Sequence, residues 1–230
     1  NATTGTASGT TLTVDQSAPT ISETTAITTP AQDTTPTVVI TSDQAGAISC
    51  PSGQTLTGDV AAEAAANNVT FAALDDGTYG SVTLRVTDAA GNPSNTLTLT
   101  SFTIDNGDPS AFTVGAVAST GGTVVANYLN STNTGVSVTV PVANDASLVN
   151  GTIQLRMKVG NNAYANIGSA ATITDANTNQ AVTLTDDQIE AAANYAENGV
   201  LTFTAIITDA AGNATTGTAS GTTLTVDQSA

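Results

Sequence analysis

Histidine and tryptophan are absent from this chain of 230 residues, cysteine occurs once, and lysine and arginine together number three. Each shortage removes a class of chemistry. With only Arg85, Arg156 and Lys158 against nineteen acidic residues, the formal net charge is −16. No basic face exists to displace phosphate counterions, which excludes nucleic acid as a partner, and anionic membrane surfaces are disfavoured by the same sign. The lone Cys50 permits no intrachain disulfide. With no imidazole to activate it, it reads as a small buried hydrophobe rather than a nucleophile. No apolar run approaches the roughly 18–20 residues of a membrane-spanning helix, and no charged segment leads into an apolar one as in an export signal. Direct membrane insertion is therefore not expected, and any signals for export are expected to stand elsewhere in a longer parent chain.

An enzyme is not expected either. Ser/His and Cys/His sets are missing along with histidine, and no glycine loop has the spacing that cradles phosphate. The acid pairs Asp75/Asp76 and Asp186/Asp187 are sequence neighbours, which a strand would point to opposite faces rather than oppose across a cleft.

Alternation dominates what is present. The segments TVVITSD (37–43), SVTLRVTD (81–88), TLTLTSFTID (96–105), GVSVTVPV (135–142), TIQLRMKV (152–159) and LTFTAIITD (201–209) place apolar residues at every second position, with Thr and Ser between. That period puts one face of each strand in a core and one in water, and strands separated by Gly, Asn, Asp and Pro turns define an all-β sandwich or barrel. Helix signals are few. TDDQIEAAANYAENG (185–199) offers a capping box at Thr185 and Gln188 and a stop at Asn198-Gly199; GDVAAEAAANN (58–68) is a weaker analogue.

Residues 1–18 and 213–230 are the same phrase, NATTGTASGTTLTVDQSA. A strand specifies a pattern, not eighteen identities, so the phrase records a duplication with an offset of 212 residues and points to a tandem array. Inside this period the hexapeptide TDAAGN occurs at 87–92 and again at 208–213. A further pattern, an Asp closing a strand with Pro four residues on, occurs at Asp15–Pro19 and Asp105–Pro109 and begins again at Asp227. These positions read as interdomain junctions. Residues 1–15 are then the final strand of a preceding repeat, 16–105 domain A, 106–227 domain B and 228–230 the start of a linker. The first copy of the phrase is expected not to insert into domain A.

The stretches LDDGTYGSVTLRVTDAAGNPSNTLTLTSFTID (74–105), NSTNTGVSVTVPVANDASLVNGTIQL (130–155) and FTAIITDAAGNATTGTASGTTLTVDQSA (203–230) resemble bacterial immunoglobulin-like repeats of large surface adhesins and biofilm-associated proteins. The resemblance covers essentially the whole chain. It implies two tandem immunoglobulin-like sandwiches in an extended stalk, exported to the bacterial cell surface, with neighbouring repeats of the same chain as partners and Ca²⁺ at the junctions.

The acids suit that expectation. Aspartate outnumbers glutamate fifteen to four, and short carboxylates suit both turns and hard-cation sites assembled from loops. In an immunoglobulin-like topology, Asp15 meets Asp88, Asn92 and Asp43 at the upper pole of domain A. Asp75, Asp76, Asp105, Asn106 and Asp108 gather at the lower pole. The upper pole of domain B offers Asp209, Asn213, Asn144 and Asp145; its lower pole, Glu197, Asn198 and Asp227, would serve the next repeat. Carboxylates brought together without a cation repel one another, and Ca²⁺ reverses that sign, while the lack of His and clustered Cys disfavours zinc and copper. TDAAGN also suffices as a hairpin turn alone, Asp capping it and Gly supplying a positive φ.

The alternative function is a carbohydrate- or protein-binding β-sandwich module of a secreted protein. Eight Phe and Tyr with no Trp give few stacking platforms; Tyr128, Tyr164 and Tyr195 are the candidates, each also suited to a core position. Lys158, the sole lysine, reads as an exposed strand residue that discourages edge pairing rather than as one end of an isopeptide crosslink.

Overall fold

The computed structural model describes residues 9, 13–58 and 60–229. The chain is all-β in class and divides into two compact units, Asn1–Thr28 with Thr34–Thr103, and Thr29–Asp33 with Ile104–Ala230. The main division falls just ahead of Asp105, and the short stretch Thr29–Asp33 belongs to the second unit.

Unit 1 contains β1 (Ile21–Thr25), β2 (Thr37–Ser42), β3 (Gly46–Ser49), β4 (Leu56–Thr57), β5 (Ala61–Ala62), β6 (Ala66–Phe71), β7 (Gly77–Tyr79), β8 (Thr83–Thr87) and β9 (Leu97–Thr98), and most of β10 (Phe102–Ile104). One sheet has the order β1-β2-β6-β4 and another β5-β3-β8-β9, while β7 pairs β10. Alternation builds the core from both sheets: Val38, Ile40, Val69 and Phe71 from one, Ile48, Leu84 and Val86 from the other, all buried. Phe102 joins them, 6.2 Å from the Phe71 ring and stacked at 5.2 Å on Tyr79.

Three expectations for this half need correction. Residues 58–68 form no helix among the described positions; they run into β5, a turn and β6. Alanine favours a helix, but Asn67 competes for the backbone, accepting from Glu63 N–H at 2.8 Å and donating to Glu63 and Ala65 carbonyls at 3.0 and 2.8 Å. The strand expected over 96–105 is broken at Leu99–Ser101. There Glu23 accepts from both the N–H and the hydroxyl of Thr100, at 2.8 Å each, in place of a ladder partner. Cys50 is only half-buried, its Sγ 3.3 Å from Ser52 Oγ.

Unit 2 continues with β11 (Val117–Thr120), β12 (Tyr128–Asn130), β13 (Gly135–Val142), β14 (Thr152–Val159), β15 (Ala165–Asn166), β16 (Ala171–Thr172), β17 (Thr178–Thr185), α1 (Asp186–Glu190), β18 (Val200–Thr208), β19 (Ala214–Thr216) and β20 (Leu224–Asp227). One sheet is β11-β13-β17; the other is β12-β20-β18-β14-β15, with β16 beside β14 and β19 beside β18. β13 and β14 coincide with the expected segments 135–142 and 152–159. Val136, Val138 and Val140 from the first sheet face Ile153, Leu155, Phe203 and Val226 from the second in one buried cluster.

The capping box stands as expected, Thr185 accepting from Gln188 N–H and Gln188 accepting from Thr185 N–H. The helix nevertheless stops at Glu190 instead of reaching 198, because it buries only Ile189, and Asn194 and Asn198 adopt positive φ beyond it. Lys158 pairs with Thr202 of β18 and lies one residue beyond the β14–β15 pairs Arg156↔Asn166 and Met157↔Ala165, its Nζ 5.1 Å from the Tyr164 ring centre. Tyr195 packs against the core, whereas Tyr128 is 43% exposed.

The first copy of the repeated phrase lies outside the described residues over 1–8 and 10–12; Thr13 and Val14 are exposed and belong to no strand. No helix among the described residues is long and apolar enough to cross a membrane.

Candidate functional site

Each TDAAGN hexapeptide closes on itself. In unit 1, Asp88 Oδ1 accepts from the N–H groups of Ala90 and Asn92 at 2.9 and 2.8 Å, and Asp88 N–H donates to Asn92 O at 3.1 Å. In unit 2, Asp209 Oδ1 accepts from Gly212 and Asn213 N–H at 2.7 and 2.9 Å, and Asp209 N–H donates to Asn213 O at 2.9 Å. Gly91 and Gly212 take φ of 92° and 103°, a region closed to most side chains. The asparagine amide then points two ways. Asn92 Nδ2 donates to Asp88 Oδ2 at 2.9 Å and to the carbonyl of Asp15 at 3.1 Å. Asn213 Nδ2 donates to Asp209 Oδ2 at 2.9 Å and to the carbonyl of Asp105 at 2.9 Å.

The junction aspartates thus contribute main-chain oxygen, not carboxylate, to the turn. Their side chains fold forward onto the following residues. Asp15 Oδ1 accepts from Ser17 N–H at 3.0 Å, Asp105 Oδ1 from Gly107 N–H at 3.2 Å, and Asp227 Oδ1 from the Ser229 hydroxyl at 3.2 Å. This Asx turn aims the chain so that Pro19 and Pro109, each four residues on, are buried. The arrangement is a latch: an Asp-capped turn presents an amide that grips the main chain entering its own unit.

The other expected residues take separate places. Asp43 ties the start of β1 to the end of β2, Oδ1 accepting from Thr20 N–H at 2.6 Å and its own N–H donating to Thr20 O at 3.2 Å. Asp145 caps the 3₁₀ turn Ala146–Leu148, accepting from the N–H and hydroxyl of Ser147 at 2.9 Å each. Asp75 and Asp76 are exposed in the loop before β7 of unit 1, and Asp108 is exposed in unit 2. Glu197 accepts from Gln228 N–H at 2.8 Å and the Ser229 hydroxyl at 3.1 Å, holding the segment after β20.

Electrostatics follow from these donors. The Asn92 amide, then its backbone N–H, holds the Asp88 carboxyl below the usual 3.8, against a smaller opposing effect of burial. Asp186, at the start of α1, is pushed the other way by burial and by Asp187 beside it.

The donors of each turn already take three of the roughly four acceptor sites on its carboxylate. Both Asp88 oxygens and both Asp209 oxygens already accept N–H groups of their own turn, and the asparagines offer N–H, not oxygen, to the junction carbonyls. Among the described residues no three acidic or Cys side chains converge as a metal site.

Sequence reasoning missed several partners of the latch. Asn95 imitates a strand, accepting from Ile21 N–H at 2.9 Å and donating to Ile21 O at 3.1 Å. Thr215 donates to Pro109 O at 2.6 Å, and Ala210 N–H to Ser147 O at 3.0 Å. Asn95 stands three residues after Asn92 in NPSN, and that spacing was the one readable signal; the rest depend on segments about 60 to 106 positions apart.

A cleft of about 380 Å³ in unit 2 is lined by Met157, Ile167, Gln188 and Ala192 among others, and by no aromatic residue.

No protein-family model matches the chain, and no curated protein matches it. Among solved structures it is similar to the γ-CGTase of alkalophilic Bacillus clarkii, with 14% identity and TM-score 0.23 over 93% of this chain and 27% of that one. It is also similar to the Bacteroides ovatus mixed-linkage glucan utilization locus protein SGBP-B in complex with a mixed-linkage heptasaccharide, with 16% identity and TM-score 0.21 over 86% of this chain and 42% of that one. The chain spans less than half of either. Likeness at these scores carries no argument about fold or function.

Proposed function

We propose that this chain is a structural segment of a repetitive bacterial cell-surface adhesin, an extender that holds a distant binding region away from the cell. One observation carries the reading: the same Asn-to-carbonyl latch grips Asp15 in unit 1 and Asp105 in unit 2, the two positions where the repeated Asp–Pro phrase occurs in full. In each case the turn and the main chain it grips belong to the same unit, so a copied unit carries its own latch. The missing histidine, the scarcity of cations and the aromatic-free cleft offer little to a catalytic or nucleic-acid role.

Chains carrying one, two and three copies of the 212-residue period, measured by small-angle scattering, test it. The maximum dimension is expected to grow in proportion to copy number; growth as the cube root, the behaviour of a collapsing globule, overturns it.

Calcium is a separate part of the proposal. It draws on the aspartate bias and on the resemblance; Asp75 and Asp76 in unit 1 and Asp108 in unit 2 are exposed. Calorimetric titration with CaCl₂ is expected to give saturable heat, and melting is expected to fall in EDTA; no heat and an unchanged melt leave the hydrogen-bonded latch as the whole joint.

The second reading is a carbohydrate-binding module. The exposed Tyr128 favours it, as a ring available for stacking. Saturable binding on a glycan array, abolished by Tyr128→Ala, would replace the extender reading.

A further inference from the structure

In unit 1 the turn after Cys50 and the segment from β7 into β8 line an open cleft of about 470 Å³. Thr83 N–H donates to Ser52 Oγ at 2.9 Å and ties the two segments together. Each polar side chain described on its wall is uncharged: Ser52, Gln54, Thr78, Tyr79 and Ser81. On a chain of net charge −16 this selects the ligand. A cation meets no carboxylate on the wall, and an anion is opposed by the charge of the whole chain. An apolar ligand would strip water from hydroxyls and an amide without replacing their hydrogen bonds. A neutral ligand rich in hydroxyls avoids all three costs.

Two of these side chains are held by bonds that a ligand does not use. The half-buried Tyr79 ring stacks at 5.2 Å on the buried Phe102, and its hydroxyl donates to Asp75 O at 2.8 Å. Gln54 Oε1 accepts from the Ser52 hydroxyl at 2.6 Å and from the Cys50 thiol at 3.5 Å. That fixes the amide and leaves both N–H donors of its Nε2 without a partner among the described residues. A pinned ring beside pinned amide donors suits a sugar, whose C–H face packs on an aromatic surface while its hydroxyls bond to polar groups at the edge. Being set in advance, neither side chain gives up much rotamer freedom on binding.

We infer that this cleft binds a neutral saccharide, with Tyr79 as the packing surface and Gln54 as the amide that orients it. The inference rests on the carbohydrate-binding reading and moves its site from Tyr128 in unit 2 to Tyr79 in unit 1.

The test is made on the full chain, with maltohexaose, cellohexaose, mannohexaose and chitohexaose as neutral probes and an oligogalacturonate as the charged one. Each is titrated to about 10 mM, enough to reveal a Kd near 1 mM, and followed by ¹⁵N NMR. At least one neutral probe is expected to saturate, moving the backbone signals of Gly80, Ser81 and Val82 and the side-chain amide of Gln54, while the charged probe moves none of them. Gln54→Ala should weaken binding about tenfold, as the loss of one or two hydrogen bonds implies. Ser81→Trp, at an exposed position, obstructs the cleft without reaching the core and should abolish saturation, and Tyr128→Ala should change nothing. Saturation by none of the neutral probes overturns the inference, as does binding that survives both Gln54→Ala and Ser81→Trp. Binding lost only in Tyr128→Ala overturns it while leaving the carbohydrate-binding reading in place. Equal binding of the oligogalacturonate at the same residues overturns the neutral class.

Discussion

The hexapeptide TDAAGN makes the same turn twice and is buried once. Asp209 and Asn213 are 4% and 5% exposed, whereas Asp88 and Asn92 are only half-buried. Sequence within the hexapeptide cannot account for this, since the six residues are identical. The difference lies in the loop that crosses the turn. In both units a glycine packs on the carbonyl of the threonine before the aspartate: a Cβ on Gly46 would clash with Thr87 O, and one on Gly151 with Thr208 O. Ahead of that glycine, Asp43 stands three positions away in unit 1 and Asp145 six positions away in unit 2. The longer loop holds the turn Ala146–Leu148, which sends Ser147 O to Ala210 N–H and buries Leu148 to 1% exposure. Three residues of loop therefore decide whether an identical latch is wet or dry, and a dry hydrogen bond is costlier to leave unmade.

The comparison breaks most sharply at the aspartates. Asp209→Ala strands two backbone N–H groups and one amide N–H away from water, and unit 2 is expected to lose about 3 kcal/mol or more on that ground. Asp88→Ala should cost unit 1 markedly less, because water reaches its donors. Urea unfolding followed by hydrogen exchange on peptides from each unit checks the ranking; equal losses would remove the role of burial. Next in size, Leu148→Ala should cost unit 2 about 2–4 kcal/mol, as for other buried leucines. It should also speed exchange at Gly212 and Asn213, bringing the unit 2 turn toward the behaviour of its twin.

Asn213→Ala releases the Asp105 carbonyl and should cost about 1–2 kcal/mol; Asn92→Ala should cost less, and melting of the two variants gives the order. Acid sharpens the contrast. The Asp88 carboxyl is held below its ordinary 3.8 in the folded state, so the folded protein binds fewer protons there than the unfolded chain. Its contribution is present above that ordinary value and is lost as pH falls through the lowered one. The acid limb of unit 1 unfolding should shrink in Asn92→Ala, since the amide is the main cause of the lowering. The smallest effect is at Asp186, whose carboxyl is raised by burial and by Asp187 and whose Oδ1 is buried without a hydrogen-bond partner among the described residues. Its sign is opposite: stability is fully present below the ordinary value and falls as pH rises through the raised one. Asp186→Asn is thus expected to raise the melting temperature of unit 2 slightly at neutral pH and not below pH ~3.

Strand periodicity was legible wherever both faces kept their partners. The segments 135–142 and 152–159 fold over the expected residues because each alternates without interruption between a sheet core and an outer face. It failed where a side chain took over the work of the backbone. Asn67 turned an alanine-rich stretch into a bend between strands, and Glu23 broke the last strand of unit 1 by capturing Thr100 from 77 positions away. Asn67 acts on residues two to four positions away, but the Glu23–Thr100 contact lies beyond any local reading. The candidate site was half legible: Asp88, Asn92, Asp209 and Asn213 were singled out as polar residues of one repeated turn, but their chemistry was assigned to carboxylates converging from loops. In each turn the carboxylate instead accepts three N–H groups of its own turn, two from the backbone and one from the asparagine amide.

Residue order alone determined the duplication, the alternation that makes an all-β chain, the acidity and the missing catalytic residue types, because each is a property of composition or period. Only the tertiary structure decided which end of Asp15 and Asp105 the asparagines grip, and which of two identical turns is shielded from water. Those depend on segments far apart in the chain meeting at hydrogen-bond distance, and a period of two residues carries no information about who lies across the fold.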